Sequence, residues 1–411
     1  MTATLNQLIA RSLHRPVRRC YIKRRFINGT YESSWFRIDY LGGQDRVIDW
    51  GGFSLEIDHQ PGQISNFEVS GLEMLFDNQE GYFNIETDSL SKWYPDSTYL
   101  NRRYAKVKID TAYLDEDDVE VGTATVFEGV IERVVIGEDQ TARITALPYS
   151  GILQSYLIAD LGLTGPATVS STVSAIMNQS KITEYIPYVA PTQTLNPTIV
   201  DRTTLEGSYW DVLKALAQQS NAIPFLSGST WAFKDRSAGS LAWNFQGAGT
   251  RFADIQSVTA YDDEGADRVR VYWQAEGTSL TALSSDTTLK LKYLNAPQLI
   301  NLDTYDNTNK QIILNALLAE WETPRPTVEF TTKFMMNQIG LLDKITLKII
   351  GPLSAGDGSG FTWGGWAWGD GSTWGKARGS INISAGVEWM VTRIFKDIQN
   401  WGTQIKCEKV V

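Results

Sequence analysis

One pattern constrains this chain more than any other. Short stretches of 5 to 10 residues, apolar by alternation or in a run, recur between clusters of Gly, Asn, Asp and Pro. Between residues 20 and 150 they lie within CYIKRRFI, WFRIDYL, FSLEID, NFEVSGLEMLF, RYAKVKIDTAYL, TVFEGVIERVVIG and ARITALPY. A period of two puts every second side chain on one face of a strand, so each stretch offers one apolar face to a core. Many such strands at close spacing predict a barrel or a sandwich. The pattern returns after residue 240 in LAWNFQG, IQSVTAYDDE, RVRVYWQAE and LTALS, and again after residue 326 in PTVEFTTKF, DKITLKII, EWMVTRIF and QIKCEKVV.

Between these β regions the period changes. GILQSYLIADLGL (151–163) reads as a helix or a broken helix, and SSTVSAIMNQSK (170–181) as a capped helix with Val173, Ile176 and Met177 on one face. The clearest helix is SYWDVLKALAQQSN (208–221). Ser208 is its N-cap, Asp211 sits where its charge favours the N-terminus, and Asn221 is a left-handed stop. IPFLSGSTWAFKDR then reads as two strands around a Gly-Ser turn. A further helix, NKQIILNALLAEWE (309–322), is ended by prolines 324 and 326. The predicted fold class is mainly β with small α+β insertions: two β-barrel domains linked by α+β spacers. The predicted domains are 1–150 (barrel), 151–238 (α+β), 239–308 (β-rich) and 309–411 (helix plus barrel, with a Trp/Gly-rich loop at 354–380).

The search for chemistry is mostly negative. The chain has 411 residues and a net charge of -10, a poor match to nucleic-acid phosphates. It has two cysteines, Cys20 and Cys407, which read as reduced core thiols, with a bridge between them left open. The two histidines, His14 and His59, do not form a zinc pattern, and GxSxG, GxGxxG and GxxxxGK[ST] are all absent. Acidic pairs such as Asp262–Asp263 and Glu320–Glu322 could serve a glycosidase or simply mark a turn and a solvated helix face. YLDEDDVEVG (113–122) is a charged hairpin tip without the glycine and terminal glutamate of an EF-hand. No catalytic residue, cofactor or metal is expected, and no apolar run reads as a membrane span or signal peptide. The chain therefore reads as made in a cytoplasm.

Two segments stand out. RSLHRPVRRCYIKRR (11–25) is basic within an acidic chain, and Arg18, Arg19, Arg24 and Arg25 form a candidate docking arm, or else a solvated first strand. In SAGDGSGFTWGGWAWGDGSTWGKARGS (354–380), Trp363, Trp366, Trp368 and Trp374 alternate with glycines. Exposed indoles cost free energy unless covered, so three uses are open: stacking on a sugar, burial against a neighbouring subunit, or packing on the chain's own barrel.

Several stretches, in order, resemble the bacteriophage tail hub (baseplate hub) family. SGLEMLFDNQEGYF carries Met74, Phe76, Asn78, Gly81 and Phe83 in a similar strand and turn, and VFEGVIERVVIG is similar to a strand that follows. The helix and hairpin match at Trp210, Leu213, Leu216, Ala217, Phe233 and Arg236. DEGADRVRVYW has Asp267 where Asn is usual, and the closing region has Leu342–Asp343 in place of Gly-Asp. The Trp/Gly loop and the basic N-terminus lie outside the resemblance.

The resemblance implies a structural virion protein at the tail tip rather than an enzyme. Two ring-forming barrels per chain would let a homotrimer present a pseudo-sixfold ring, joining a sixfold tube to a threefold tip around a channel for DNA ejection. The helix-and-hairpin unit would be a spacer without an active site. Implied partners are copies of itself, a distal tail or tube ring, the tape-measure protein and a tail fibre or spike for host attachment, with phage DNA in passage. The alternatives are a hexameric distal tail ring and a carbohydrate-binding or glycan-cleaving β-protein that uses the Trp-rich loop.

Overall fold

The computed structural model describes residues 15–58, 66–84, 103–179, 182, 185, 187–227, 230–237, 239–245, 255–261, 268–271, 280–287, 289, 298–322, 325–332, 334–347 and 387–410. Alternation predicts strands over the first part, and strands form there: β1 Pro16–Lys23, β2 Phe36–Arg37, β3 Tyr40–Leu41, β4 Gln44–Asp45, β5 Val47–Asp49, β6 Gly52–Asp58, β7 Asn66–Val69, β8 Leu72–Asp77, β9 Lys106–Leu114, β10 Glu120–Ile136 and β11 Thr141–Pro148. Seven of them pair antiparallel in the order β2-β1-β9-β10-β11-β8-β5. The inward residues Cys20, Ile22, Met74, Phe76, Val107, Ile109, Ala142 and Ile144 are fully buried, so the period-two expectation holds in detail. The turn after β8 is also built as its residues suggest. Asn78 Oδ1 accepts from Phe83 N (2.8 Å), and Gly81 takes a φ of 71°.

NFEVSGLEMLF reads as one strand but is two, and they belong to different sheets. The chain leaves the first sheet after β5, makes the β6–β7 hairpin in the second sheet, and returns to the first sheet at β8. Gly51 allows the departure. Its φ is 62°, and a Cβ there would lie 2.2 Å from Glu73 O. Gly71, at the return, faces Ala146 O in the same way, at 3.0 Å.

The middle of the chain holds the expected helices. α1 Ser150–Gln154 and a 3-10 turn at Ile158–Leu161 are the broken helix. Strand β12 (Ala167–Thr168) leads into α2 Val169–Met177, which starts earlier than predicted because Thr168 Oγ1 accepts from Ser171 N. Strand β13 is Thr198–Ile199. α3 Tyr209–Gln219 has a full capping box between Ser208 and Asp211, and Asn221 ends it with a φ of 49°. The hairpin β14 Ala222–Ser227 with β15 Thr230–Asp235 packs behind it, with Trp210 edge-on to Trp231.

The remaining elements are β16 Leu241–Asn244, β17 Ile255–Tyr261, β18 Arg268–Val271, β19 Thr281–Leu283, β20 Gln298–Ile300, α4 Asn307–Trp321, β21 Thr327–Thr332, β22 Lys344–Thr346, β23 Glu388–Asp397 and β24 Gly402–Lys409. α4 begins before the predicted residue 309 because Asp306 caps it, and it packs on the small sheet β19-β18-β20. The second large sheet runs β16-β22-β23-β24-β21-β17, with β6 and β7 joining at β23. One edge of β23 is thus shared end to end by β22 and β6.

The described chain is mainly β with few helices. The predicted barrels are open paths among the described residues: no pairing joins β2 to β5 or β16 to β17. At the first sheet the end strands are two and three residues long, too short to bridge a gap with a ladder of hydrogen bonds. One contiguous apolar cluster runs through all parts of the chain, from Cys20 to Cys407. Both cysteines are buried free thiols, so the open bridge is not formed.

Candidate functional site

The sequence offered four arginines and four tryptophans as contact residues. Trp363, Trp366, Trp368 and Trp374 lie outside the described residues, as do His14 and His59. The arginines are on and just after β1, and each is engaged within the chain. Arg18 lies 5.9 Å from the Trp50 ring and 5.4 Å from the Trp401 ring. Burial lowers its pKa, and nearby Asp397 works against that. Arg19 forms a two-pronged pair with Glu120, one prong at 2.9 Å. Arg24 pairs with Glu32 at 2.6 Å, and Arg25 donates to Gly29 O. Among the described residues no group of three or more His, Cys, Asp or Glu is placed to hold a metal.

Three joints instead gather the polar side chains, and each ties together elements far apart in sequence. At the first, the outer face of the first sheet meets the middle unit. Lys106, on β9, donates to Tyr185 O (2.8 Å) with its ammonium 4.8 Å from the Tyr31 ring and 5.9 Å from the Tyr149 ring. Tyr31 stands edge-on to Tyr185 and donates to Tyr104 O, while Tyr149 donates to Glu128. Burial and the Glu128 charge raise the Tyr149 pKa, so it stays a donor. A cation caged by rings keeps much of its solvation replaced while remaining charged.

The second joint locks the two large sheets. Tyr113 on β9 donates to Met335 O and accepts from Trp401 Nε1, both at 2.9 Å, and its ring stands edge-on to that indole. Ile398 N donates to Gly51 O, and Trp50 N donates to Gln399 Oε1. Beside this joint, β6 runs along β23 with Phe53 opposite Lys396, and Phe53 packs edge-on against Phe127 of the first sheet. Lys396 is buried, and desolvation alone pulls its pKa down to about 8.

The third joint is a closed ring of two arginines and two glutamates. Arg236, just after β15, donates to Glu408 on β24 (2.6 Å) and to Glu320 on α4 (3.3 Å). Arg325, just past α4, meets the same two carboxylates at 3.1 and 2.9 Å. The side chains of Arg236 and Glu408 are 0% and 1% exposed, so this is a buried network rather than a surface pair. Its charge sums to zero, which is what allows it to be dry. Of the four members, only Arg236 was singled out from sequence as a motif position. Glu320, by sequence a glycosidase candidate or part of a solvated helix face, is a strut between α4 and the two arginines. Glu408 carries no local signal, because its partners lie 83 and 172 residues away, and Arg325 meets nearby Glu320 only where the chain turns out of α4. Before β22, Leu342 takes a φ of 66°, the left-handed conformation suited to the glycine expected there, and Asp343 accepts from Gly340 N (2.8 Å).

No protein-family model matches the sequence. No curated protein matches it either. Solved structures do match. Prophage tail protein gp18 from Listeria monocytogenes EGD-e aligns at a TM-score of 0.50 with 11% identity, covering 94% of this chain and 94% of that one. The 43 kDa tail protein of prophage MuSo2 from Shewanella oneidensis aligns at 0.50 with 9% identity, covering 96% and 98%. The alignments span nearly the whole of each chain, so the likeness belongs to the architecture and not to one shared module. The three joints therefore stand in a fold similar to that of prophage tail proteins.

Proposed function

We propose that this chain is a structural protein of a phage virion, the central hub at the distal end of the tail. The observation that carries the reading is the near full-length likeness in fold to two prophage tail proteins. Two large, mainly antiparallel sheets in one chain add support, because a chain with two comparable β units lets three copies present six faces to a sixfold tube. In this reading the units 1–150 and 309–411 are the ring-forming barrel domains. The unit 151–238 is a spacer, held by the Lys106 cage on one side and the Arg/Glu ring on the other, and 239–308 is a β-rich unit beside it. The homotrimer surrounds a channel for DNA ejection, and the net charge of -10 keeps DNA from adhering to its wall. A distal tail or tube ring lies above, the tape-measure protein within, and a fibre or spike below. The Trp/Gly loop covers its indoles on one of these neighbours.

The test is the mass of the purified chain by light scattering over a range of concentrations, followed by electron microscopy of the assembled fraction. A trimer with a central hole supports the hub. A hexamer replaces it with a distal tail ring. A monomer at every concentration removes the ring reading and turns attention to glycan binding by Trp366 and Trp368.

A further inference from the structure

The lock between the two large sheets carries costs as well as ties. Six non-glycine residues take a positive φ among the described residues, and Trp401, at 60°, is the bulkiest of them. It ends the turn that joins β23 to β24, just before the closing pair Asp397–Gly402. A tryptophan in the left-handed region is strained, and it persists there only because its surroundings hold it.

Lys396 adds a second cost. It is 7% exposed, and the residues opposite it are Phe53 on β6 and Thr403 on β24. Thr403 Oγ1 already accepts from Met336 N (2.9 Å). Lys396 has no hydrogen bond or ion pair among the described residues, and no neighbouring charge offsets its burial. A third cost lies on β9, where Thr111 Oγ1 is buried without a partner, directly opposite Arg18 on β1. Arg18 reaches the Trp50 and Trp401 rings but forms no ion pair among the described residues. Asp397 attracts it from a distance, while both Asp397 oxygens accept from Asn400. Cations and hydroxyls taken from water without a match raise the free energy of the closed joint.

The ties that oppose these costs meet at the same turn. Trp401 Nε1 donates to Tyr113. Gly51 O accepts from Ile398 N (3.0 Å) and Gln399 N (3.2 Å), and Gln399 Oε1 accepts from Trp50 N (3.0 Å). Breaking them together lets Trp401 relax and brings Lys396 to water, without unpairing the middle of either sheet. We infer that the β23–β24 turn, from Lys396 to Thr403, is a latch: it fastens the second sheet to the first, and it opens as one unit while the rest of both sheets stays folded. Such an opening is governed by the contacts of the segment and not by global stability. The inference rests on the joint and not on the hub reading, so it holds for a monomer as for a trimer.

The test is native-state hydrogen exchange of the full chain at pH 7, in wild type and Lys396→Met. The reporters are the amides of Trp50, Met336 and Ile398, which lie on three different segments and bond across the joint. In the wild type their opening constants should agree, be about a hundredfold or more above those of amides in the middle of β23, and stay constant in low urea. Lys396→Met should lower all three by about tenfold or more, because an apolar side chain gains nothing from reaching water. Exchange of the three only with the middle of β23 overturns the latch, since the joint then opens by global unfolding alone. Three unrelated opening constants overturn it too, as separate fraying. Constants that agree but are unchanged in Lys396→Met overturn the placing of Lys396 within the moving unit.

Discussion

The strands of the first sheet all lie within residues 16–148, and its central order β1-β9-β10-β11-β8 includes two sequence-adjacent hairpin pairs. The second sheet gathers strands from 52 to 409. It contains a hairpin, β6–β7, that the chain inserts on its way through the first sheet. Both sheets bury apolar side chains in the common core. What differs is how their strands are brought together. Tight connections and cross-strand pairs do much of that work in the first sheet. The second relies on side chains from elsewhere: the Arg/Glu ring at β24, the Tyr113–Trp401 lock, and Phe53 packed across to Phe127. Loop-closure entropy opposes such long-range pairing, so its stability depends on a few non-local contacts. The lesson is that a strand's inward face is a local property, while its sheet membership is not.

That contrast yields tests, and the largest effect is expected at the ring. Glu408→Ala removes the carboxylate that answers both Arg236 and Arg325 and leaves buried charge unpaired. The expected cost is about 3–5 kcal/mol, measured by urea denaturation. Replacing Arg236, Glu320, Arg325 and Glu408 together by apolar residues should cost less than the single change, since no charge is then stranded. If Glu408→Ala is silent, the second sheet does not depend on its ring.

Lys396 gives the next effect, of opposite sign. Its folded pKa of about 8 is below the ordinary 10.5, so the unfolded chain binds the proton more readily. Wild-type stability should therefore rise with pH between about 8 and 10.5 and be flat below 8. At about 1.4 kcal/mol per pH unit, the charge costs on the order of 3 kcal/mol at pH 7. Lys396→Met should recover much of this and abolish the rise, as read from thermal melts at pH 7 and pH 10. An unchanged slope would show that another group titrates there.

A smaller effect probes the lock between the sheets. Tyr113→Phe takes away the donor to Met335 O and the acceptor for Trp401 Nε1, for about 1–3 kcal/mol. Because one core runs through both sheets, the melt should shift as a single transition whether followed by tryptophan fluorescence or by far-UV dichroism. Two separated transitions would mean that the sheets unfold independently. The smallest change is Ser208→Ala, which opens the α3 capping box for about 1 kcal/mol and should leave both sheets alone.

Much of the local structure was written in short words of the sequence. Ser208, Asp211 and Asn221 mark the start and stop of α3. Asn78 and Gly81 mark the turn after β8, and the alternation in LEMLFD and KVKID says which side chains enter a core. These depend on interactions over a few residues, where side-chain chemistry and backbone geometry have few alternatives. The tertiary structure alone decided that NFEV and LEMLF part into different sheets, that Lys106 sits among Tyr31, Tyr149 and Tyr185, and that Arg236 closes a ring with residues up to 172 positions away. The physical reason is that every strand edge offers the same N–H and C=O groups. A period of two fixes the face that is buried, and only the packed whole selects the neighbour.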